Sequence, residues 1–176
     1  ASMLELNLKV LNCLDKHKIN PYPLPPSNFV ELSIKAKRRL FLSFIDYGLT
    51  PITYGDVLLK SGGFYVLSGD EITRILSEAL RPMRVIFLSK VDGIYMDLDK
   101  PDSIIEELKP EDLTKIQLKR IDMDVSGGMV LKLREAIRIA ENGTDVMFIN
   151  GAKPERILKA LKGEPLTGTL IRGSRK

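Results

Sequence analysis

Leu4, Leu8, Leu11 and Leu14 recur at the three- and four-residue spacing of a helix, and the pattern predicts an amphipathic helix over residues 3–18. A short strand is expected from Ile19 to Leu24. Pro21, Pro23, Pro25 and Pro26 then hold the chain extended, because each proline fixes its own φ and disfavours helix in the residue before it. Helical spacing returns over about 29–46, through Phe29, Leu32, Ala36 and Leu40, and stops near Gly48. Short strands follow at Pro51–Tyr54, Val57–Leu59 and Phe64–Leu67, the last two joined by a turn at Ser61-Gly62-Gly63. Ser68 and Glu71 have the spacing of a capping box, so Ser68-Gly69-Asp70-Glu71 opens a helix. Ile72, Ile75, Leu76 and Ala79 form its buried stripe, and Pro82 ends it.

Val85–Leu88 and Val146–Ile149 are unbroken apolar runs, as strands buried on both faces require. A loop carrying Asp97, Asp99, Lys100 and Pro101 follows the first. Ser126-Gly127-Gly128 precedes a helix with Met129, Leu133, Ala136, Ile137 and Ala140 inward, closed by Asn142-Gly143. Pro154 and Gly163 bracket a further helix, and Thr169–Ile171 reads as a last strand. Helices alternate with buried strands, which predicts an α/β sheet covered on both faces, with antiparallel strands added by the hairpin. No repeat or low-complexity tract interrupts the pattern.

Composition narrows the function classes. The chain has 176 residues, 44% hydrophobic and 28% charged, a globular balance expected to form one domain. No apolar run approaches a membrane span, and Ala1-Ser2-Met3-Leu4-Glu5 lacks the basic start and long apolar stretch of a secretory leader. One cysteine and one histidine exclude a disulfide framework and a Cys/His zinc site within the chain. Cys13 is expected to pack among the apolar residues of the first helix, and His17 to favour the dipole at its end. Net charge is +4, and Lys35, Lys37, Arg38 and Arg39 make the densest basic cluster. With no aromatic stacking pattern beside it, that cluster reads as a solvated helix face. A small anionic substrate explains the basic excess as well as nucleic acid would.

Three segments stand at the carboxyl ends of predicted strands, where open α/β sheets bind ligands: Ser68-Gly69-Asp70, Ser89 to Tyr95, and Asp124 to Lys132. Gly127 and Gly128 at a helix start expose backbone N–H groups and admit a phosphate closely. Lys132 lies one turn further on and can bend back toward the same anion; a capped helix with an ordinary lysine is the competing reading. Asp70 is likewise open to two readings. A carboxylate in a first helical turn suits the dipole, and it could also orient a lysine or a metal-bound phosphate.

Val66-Leu67-Ser68-Gly69-Asp70-Glu71, Leu88 to Tyr95, and Asp124 to Met129 with Lys132 occur in the order and spacing of the amino-acid-kinase superfamily, which the chain resembles over nearly all its length. Pro51 to Val57, Phe148-Ile149-Asn150-Gly151, Pro154 to Ile157, Gly168-Thr169 and the Pro25-Pro26-Ser27 loop are most similar to its isopentenyl phosphate kinase branch. The resemblance implies a three-layer αβα sandwich with a mainly parallel sheet and a β-hairpin. It implies a homodimeric, cytoplasmic enzyme of isoprenoid biosynthesis, by the mevalonate route, that uses ATP and Mg²⁺ to convert isopentenyl phosphate to the diphosphate. Lys132 and Asp70 would be catalytic. ATP would meet Ser89, Lys90, Asp92, Gly93, Tyr95, Gly127, Gly128 and Lys132. Ser68 and Gly69 would meet the acceptor, and no protein-built metal site, membrane or nucleic acid is implied. Ser89-Lys90 replaces the family's usual Thr-Asp and is more like the UMP kinase branch, so another phosphate-accepting kinase, or a non-catalytic nucleotide-binding module, is the alternative. The family's first strands, with a lysine–glycine pair, a second glycine-rich loop and a substrate-binding histidine, have no counterpart here. Residues 1–176 are thus expected to be the C-terminal two-thirds of a single domain, not competent as a kinase alone. The runs Val85–Leu88 and Val146–Ile149 are expected to be left as unpaired apolar edges.

Overall fold

Six residues of one strand run parallel to six of another, from Arg84 beside Asp145 to Ser89 beside Asn150. This pairing is the spine of the second of two compact units, residues 1–81 and 82–176, into which the chain divides. The computed structural model describes residues 2–96, 100, 103–112 and 127–174.

The first unit contains α1 (Met3–Lys16), β1 (Pro21–Pro23), α2 (Ile34–Asp46), β2 (Thr50–Ile52), β3 (Asp56–Lys60), β4 (Gly63–Leu67) and α3 (Gly69–Leu80). β1 and β2 pair in parallel, and β3 and β4 form the expected antiparallel hairpin, with Leu59 opposite Phe64. Its core gathers Leu24, Phe29, Phe41, Leu67 and Ile72, with Ile75, Leu76 and Leu80 packed against it. Phe29 and Phe41 meet edge to face at 5.1 Å. Residues 29–33, expected to be helical, lie before α2. The proline run instead ends in a 3₁₀ turn at Pro26–Asn28, and α2 begins at its own cap, Ser33, which accepts from Ala36 N.

Two expectations of this unit are corrected. α1 begins where expected and ends two residues early, at Lys16, and its leucine stripe is not a core face: Leu4 and Leu8 are exposed, Cys13 is exposed, and Asn7 is the buried residue. The basic cluster of α2 is not simply solvated either. Lys37 is buried, its ammonium donating to the Leu32 carbonyl. Burial pushes its pKa down, against the opposing pull of Glu31 and Glu78. Arg38 donates to the carbonyls of Leu80 (3.0 Å) and Ala79 (3.4 Å), groups that the end of α3 leaves without helical partners. α3 stops as expected before Pro82, with Arg81 in the left-handed region at φ 49°.

The second unit contains β5 (Arg84–Ser89), β6 (Glu107–Leu108), α4 (Gly127–Glu141), β7 (Asp145–Asn150), α5 (Pro154–Lys162) and β8 (Thr169–Ile171). The sheet order is β5-β7-β8-β6, parallel except between β7 and β8. Side chains alternate across a strand. Val85, Phe87, Val146, Phe148 and Ile171 therefore share a face, and they are buried with Ala136, Ile139 and Ala140 of α4. Arg84 leaves the opposite face and donates to Ala160 O of α5 at 2.7 Å, so helices cover both faces, as expected. β7 has a partner on each side, which corrects the expectation that Val146–Ile149 is an open edge. β5 and β6 are the outer strands of this sheet. β6 has no forerunner in the sequence pattern. Among the described residues, no helix is long and apolar enough to cross a membrane.

The helix-end contacts of Arg38 give a differential test. Arg38→Ala should lower unfolding free energy by ~0.5–1 kcal/mol, the size of a charged donor on helix-terminal carbonyls. Arg39→Ala, at an exposed position of the same helix, should change it by less than about 0.5 kcal/mol. Urea titrations of the two variants, read side by side, check this.

Candidate phosphate and nucleotide site

The segments at Ser68 and Ser89 begin where a strand ends, and the third is described from Gly127, where a helix begins. In the first unit, β4 delivers the chain to Ser68, whose hydroxyl accepts from Glu71 N at 3.1 Å and caps α3. Gly69 and Asp70 are then the first two helical residues, with Asp70 half-buried. A Cβ built on Gly69 would meet nothing within 4 Å. Gly55, by contrast, is needed for space, since a Cβ there would lie 3.1 Å from Leu67 O and 3.2 Å from Gly69 N. The Gly55 backbone thus packs against the entry to α3.

In the second unit, Gly127 and Gly128 open α4. Gly128 has no positive φ, and among the described residues a Cβ on it would also meet nothing within 4 Å. Lys132 is half-buried one turn later, and its ammonium sits over the ring of Phe87, 4.8 Å from the centroid. Phe87 is stacked on Phe148 at 5.4 Å and lies two residues before Ser89. α4 therefore brings Lys132 to the carboxyl end of β5. Asp124, Val125 and Ser126, like Asp97, Asp99 and Pro101 of the loop after β5, lie outside the described residues.

The segment Ser89 to Tyr95 is pinned along its length. Gly151 N donates to Ser89 O at 2.9 Å, extending the β5–β7 pairing into the turn. The Ser89 hydroxyl donates to Val91 O at 2.6 Å. Ile94 N donates to the hydroxyl of the fully buried Thr169 at 2.8 Å, and Ile105 N donates back to Ile94 O at 2.8 Å. A Cβ on Gly93 would fall 2.7 Å from that Thr169 oxygen, so Gly93 is required for packing. Gly168 is held in the same way, 2.7 Å from Phe148 O. Lys90 is exposed, and Tyr95 is half-buried in a bridge to Ile104.

Asp92 makes the densest set of contacts. Its carboxylate accepts from Asn150 Nδ2 (2.8 Å) and from Lys153 Nζ (3.0 and 3.1 Å), and it pairs with Arg156 Nη1 at 2.8 Å. Asn150 Oδ1 accepts in turn from Ala152 N at 3.0 Å. Hydrogen bonds from Asn150, then Lys153 and Arg156, hold the Asp92 carboxyl at about 2, below its ordinary 3.8, and outweigh the opposing effect of burial. Sequence reading singled out Asp92 but not its partners Lys153 and Arg156. Asn150 and Arg156 stand in stretches noted only for their family resemblance, and Lys153 just before Pro154 was the signal for the cation pair.

Residues 1–150 match the amino acid kinase family. The chain belongs to that family. It is 36% identical over 180 residues to the isopentenyl phosphate kinase of Methanothermobacter thermautotrophicus, covering 96% of this chain and 67% of that protein. To the isopentenyl phosphate kinase of Thermoplasma acidophilum it is 34% identical, covering 97% and 69%. A solved isopentenyl phosphate kinase structure superposes with a TM-score of 0.74 at 31% identity, over 95% of this chain and 65% of that one. The chain thus spans about two thirds of the length of these relatives, and the fold expected from the sequence is theirs.

The lowered Asp92 pKa has a defined pH signature. A carboxyl whose folded value lies below its unfolded value stabilises above the unfolded pKa and loses that contribution as pH falls through the folded one. Asp92→Asn should therefore be less stable than wild type at pH 6. The gap should narrow from about pH 4 and close near pH 2. Chemical denaturation across that range, comparing the two proteins, is the measurement.

Proposed function

We propose that the protein to which this chain belongs transfers the γ-phosphoryl group of ATP to isopentenyl phosphate, giving isopentenyl diphosphate. The observation that carries this reading is the pair of glycines, Gly69 and Gly128, in the first turns of α3 and α4. Neither has a left-handed backbone, and among the described residues no neighbour would crowd a side chain at either. What remains is room for an anion to approach backbone N–H groups at a helix start. The kinship with isopentenyl phosphate kinases supplies the acceptor.

On this reading Gly127, Gly128 and Lys132 hold the nucleotide phosphates. Ser68 and Gly69 meet the acceptor phosphate, and Asp70 orients the cations around it. The pinned loop from Ser89 to Tyr95 borders the base and sugar. Phosphoryl transfer needs no covalent intermediate, because its barrier is lowered by alignment and by donors aimed at the oxygens where charge develops. ATP supplies the phosphoryl group. Among the described residues, no group of three or more His, Cys, Asp or Glu side chains could cage a metal. Mg²⁺ commonly keeps several waters and binds through phosphates with one or two carboxylates, and Asp70 is the carboxylate this reading offers. The homodimer and the cytoplasmic setting implied by the resemblance belong to the same proposal.

Lys132→Ala should lower kcat on the order of 10²–10³-fold, the loss typical of one preorganised donor, with the thermal melt shifted little. A coupled assay with isopentenyl phosphate reads the first and calorimetry the second. Near wild-type turnover would remove Lys132 from the site. Gly128→Val tests the phosphate cradle separately. A side chain there has space and an ordinary backbone, so the variant should fold, yet ATP titration should give no measurable binding. Unchanged ATP affinity in a folded Gly128→Val would rule out the cradle.

A further inference from the structure

The Asp92 carboxylate has two oxygens and about four lone-pair directions. Four hydrogen bonds reach them: Oδ1 accepts from Asn150 Nδ2 and Lys153 Nζ, and Oδ2 from Lys153 Nζ and, at 3.5 Å, Arg156 Nη2, while Arg156 Nη1 adds an ion-pair contact to Oδ1 at 2.8 Å. A sugar hydroxyl would have to displace a charge-assisted bond to reach it, and such bonds are about twice as strong as neutral ones. The donors come from the last residue of β7, the turn after it, and the first turn of α5. Asp92 itself sits midway along the segment from Ser89 to Tyr95. Two residues further on, Ile94 is fastened to Thr169 on β8. The segment is thus clamped from two directions, with Gly93 between the clamps because nothing larger fits beside Thr169.

We propose that Asp92 is a positioning residue, whose carboxylate, gripped by Asn150, Lys153 and Arg156, fixes the loop from Ser89 to Tyr95 in the shape that receives the sugar end of ATP and sets nucleotide affinity without touching the nucleotide. This rests on the reading of that loop as the nucleotide border, and it replaces the expectation that Asp92 is itself an ATP contact. Fixing a binding loop in advance spares the complex the cost of ordering it. Without the carboxylate, Lys153 and Arg156 face each other as like charges, and the loop loses one of its two clamps.

The test uses the full-length protein with Asp92→Ala, Asp92→Asn, Lys153→Ala and the Asp92→Ala/Lys153→Ala pair. ATP affinity is measured by calorimetry beside the KM for ATP, the KM for isopentenyl phosphate and kcat. Asp92→Ala should weaken ATP by about tenfold or more. The KM for isopentenyl phosphate should stay near wild type, and kcat at saturating ATP should fall far less than the affinity. The double variant should be little worse than Asp92→Ala, because both changes break one contact. The decisive readout is 2′-deoxy-ATP and 3′-deoxy-ATP. A positioning residue leaves the penalty for each missing hydroxyl the same in wild type and in Asp92→Ala. A direct sugar contact makes one of those penalties vanish in the variant, and that result would overturn the proposal. So would unchanged ATP affinity in a folded Asp92→Ala, or strictly additive losses. Should Asp92→Ala fail to fold, Asp92→Asn, which keeps the shape and removes the charge, carries the same comparisons. If ATP binds as described but isopentenyl phosphate is not turned over, the acceptor assignment fails and the clasp stands. If ATP does not bind the wild type, both fall.

Discussion

The parallel register of β5 against β7 is the constraint on which the second unit depends. It sets Ser89 beside Asn150, so the two chains leave the sheet at the same level. The bond from Gly151 N to Ser89 O carries the pairing one step past the strands. A slip of one residue would turn Phe87 and Phe148 away from α4, since side chains alternate faces. It would also separate Asp92 from Asn150, Lys153 and Arg156, which follow β7 directly. The apolar contact that holds the sheet under α4 and the polar contact that shapes the loop therefore share one register. The first comes from burying Phe87, Val146, Phe148 and Ile171 beneath Ala136, Ile139 and Ala140. That burial is also what brings Lys132 over the ring of Phe87.

Legibility in the sequence followed the strength of the local signal. Continuous apolar runs located β5 and β7 to within a residue at each end, although on β5, an outer strand, Leu88 is exposed and only the Val85–Phe87 face is buried as expected. Ser68, Pro154 and Gly163 marked their helix ends correctly, since capping is settled by near neighbours; Gly163 has the positive φ, 74°, that its position demands. β6 could not be seen. It is two residues long, begins with Glu107, and owes its pairing to β8, more than sixty residues away. Lys37 and Arg38 were misread for a related reason. A lysine on a helix is solvated unless something distant covers it, and an arginine becomes a helix cap only when the end of α3 is placed beside it. The α1 stripe shows the converse error, a helical period without a buried face, because periodicity predicts the element and not its partner.

Within the candidate site, the residue types were legible and their division of labour was not. Gly69, Gly93 and Gly128 look equivalent as letters, each standing where a phosphate loop could begin. Their surroundings separate them. Gly93 is small because Thr169 lies 2.7 Å from where its Cβ would be, while Gly69 and Gly128 have no left-handed backbone and, among the described residues, no neighbour within 4 Å of such a Cβ. Both stand at a helix start, where backbone N–H groups face an anion on the proposed reading. Asp92 makes the complementary case. As a letter it looks like a ligand contact, yet both of its oxygens accept hydrogen bonds from the protein. Conserving chemistry at a site therefore draws on two kinds of residue here. On the proposed reading some, like Gly128, leave space for the ligand, and others, like Asp92, hold the walls of that space in place.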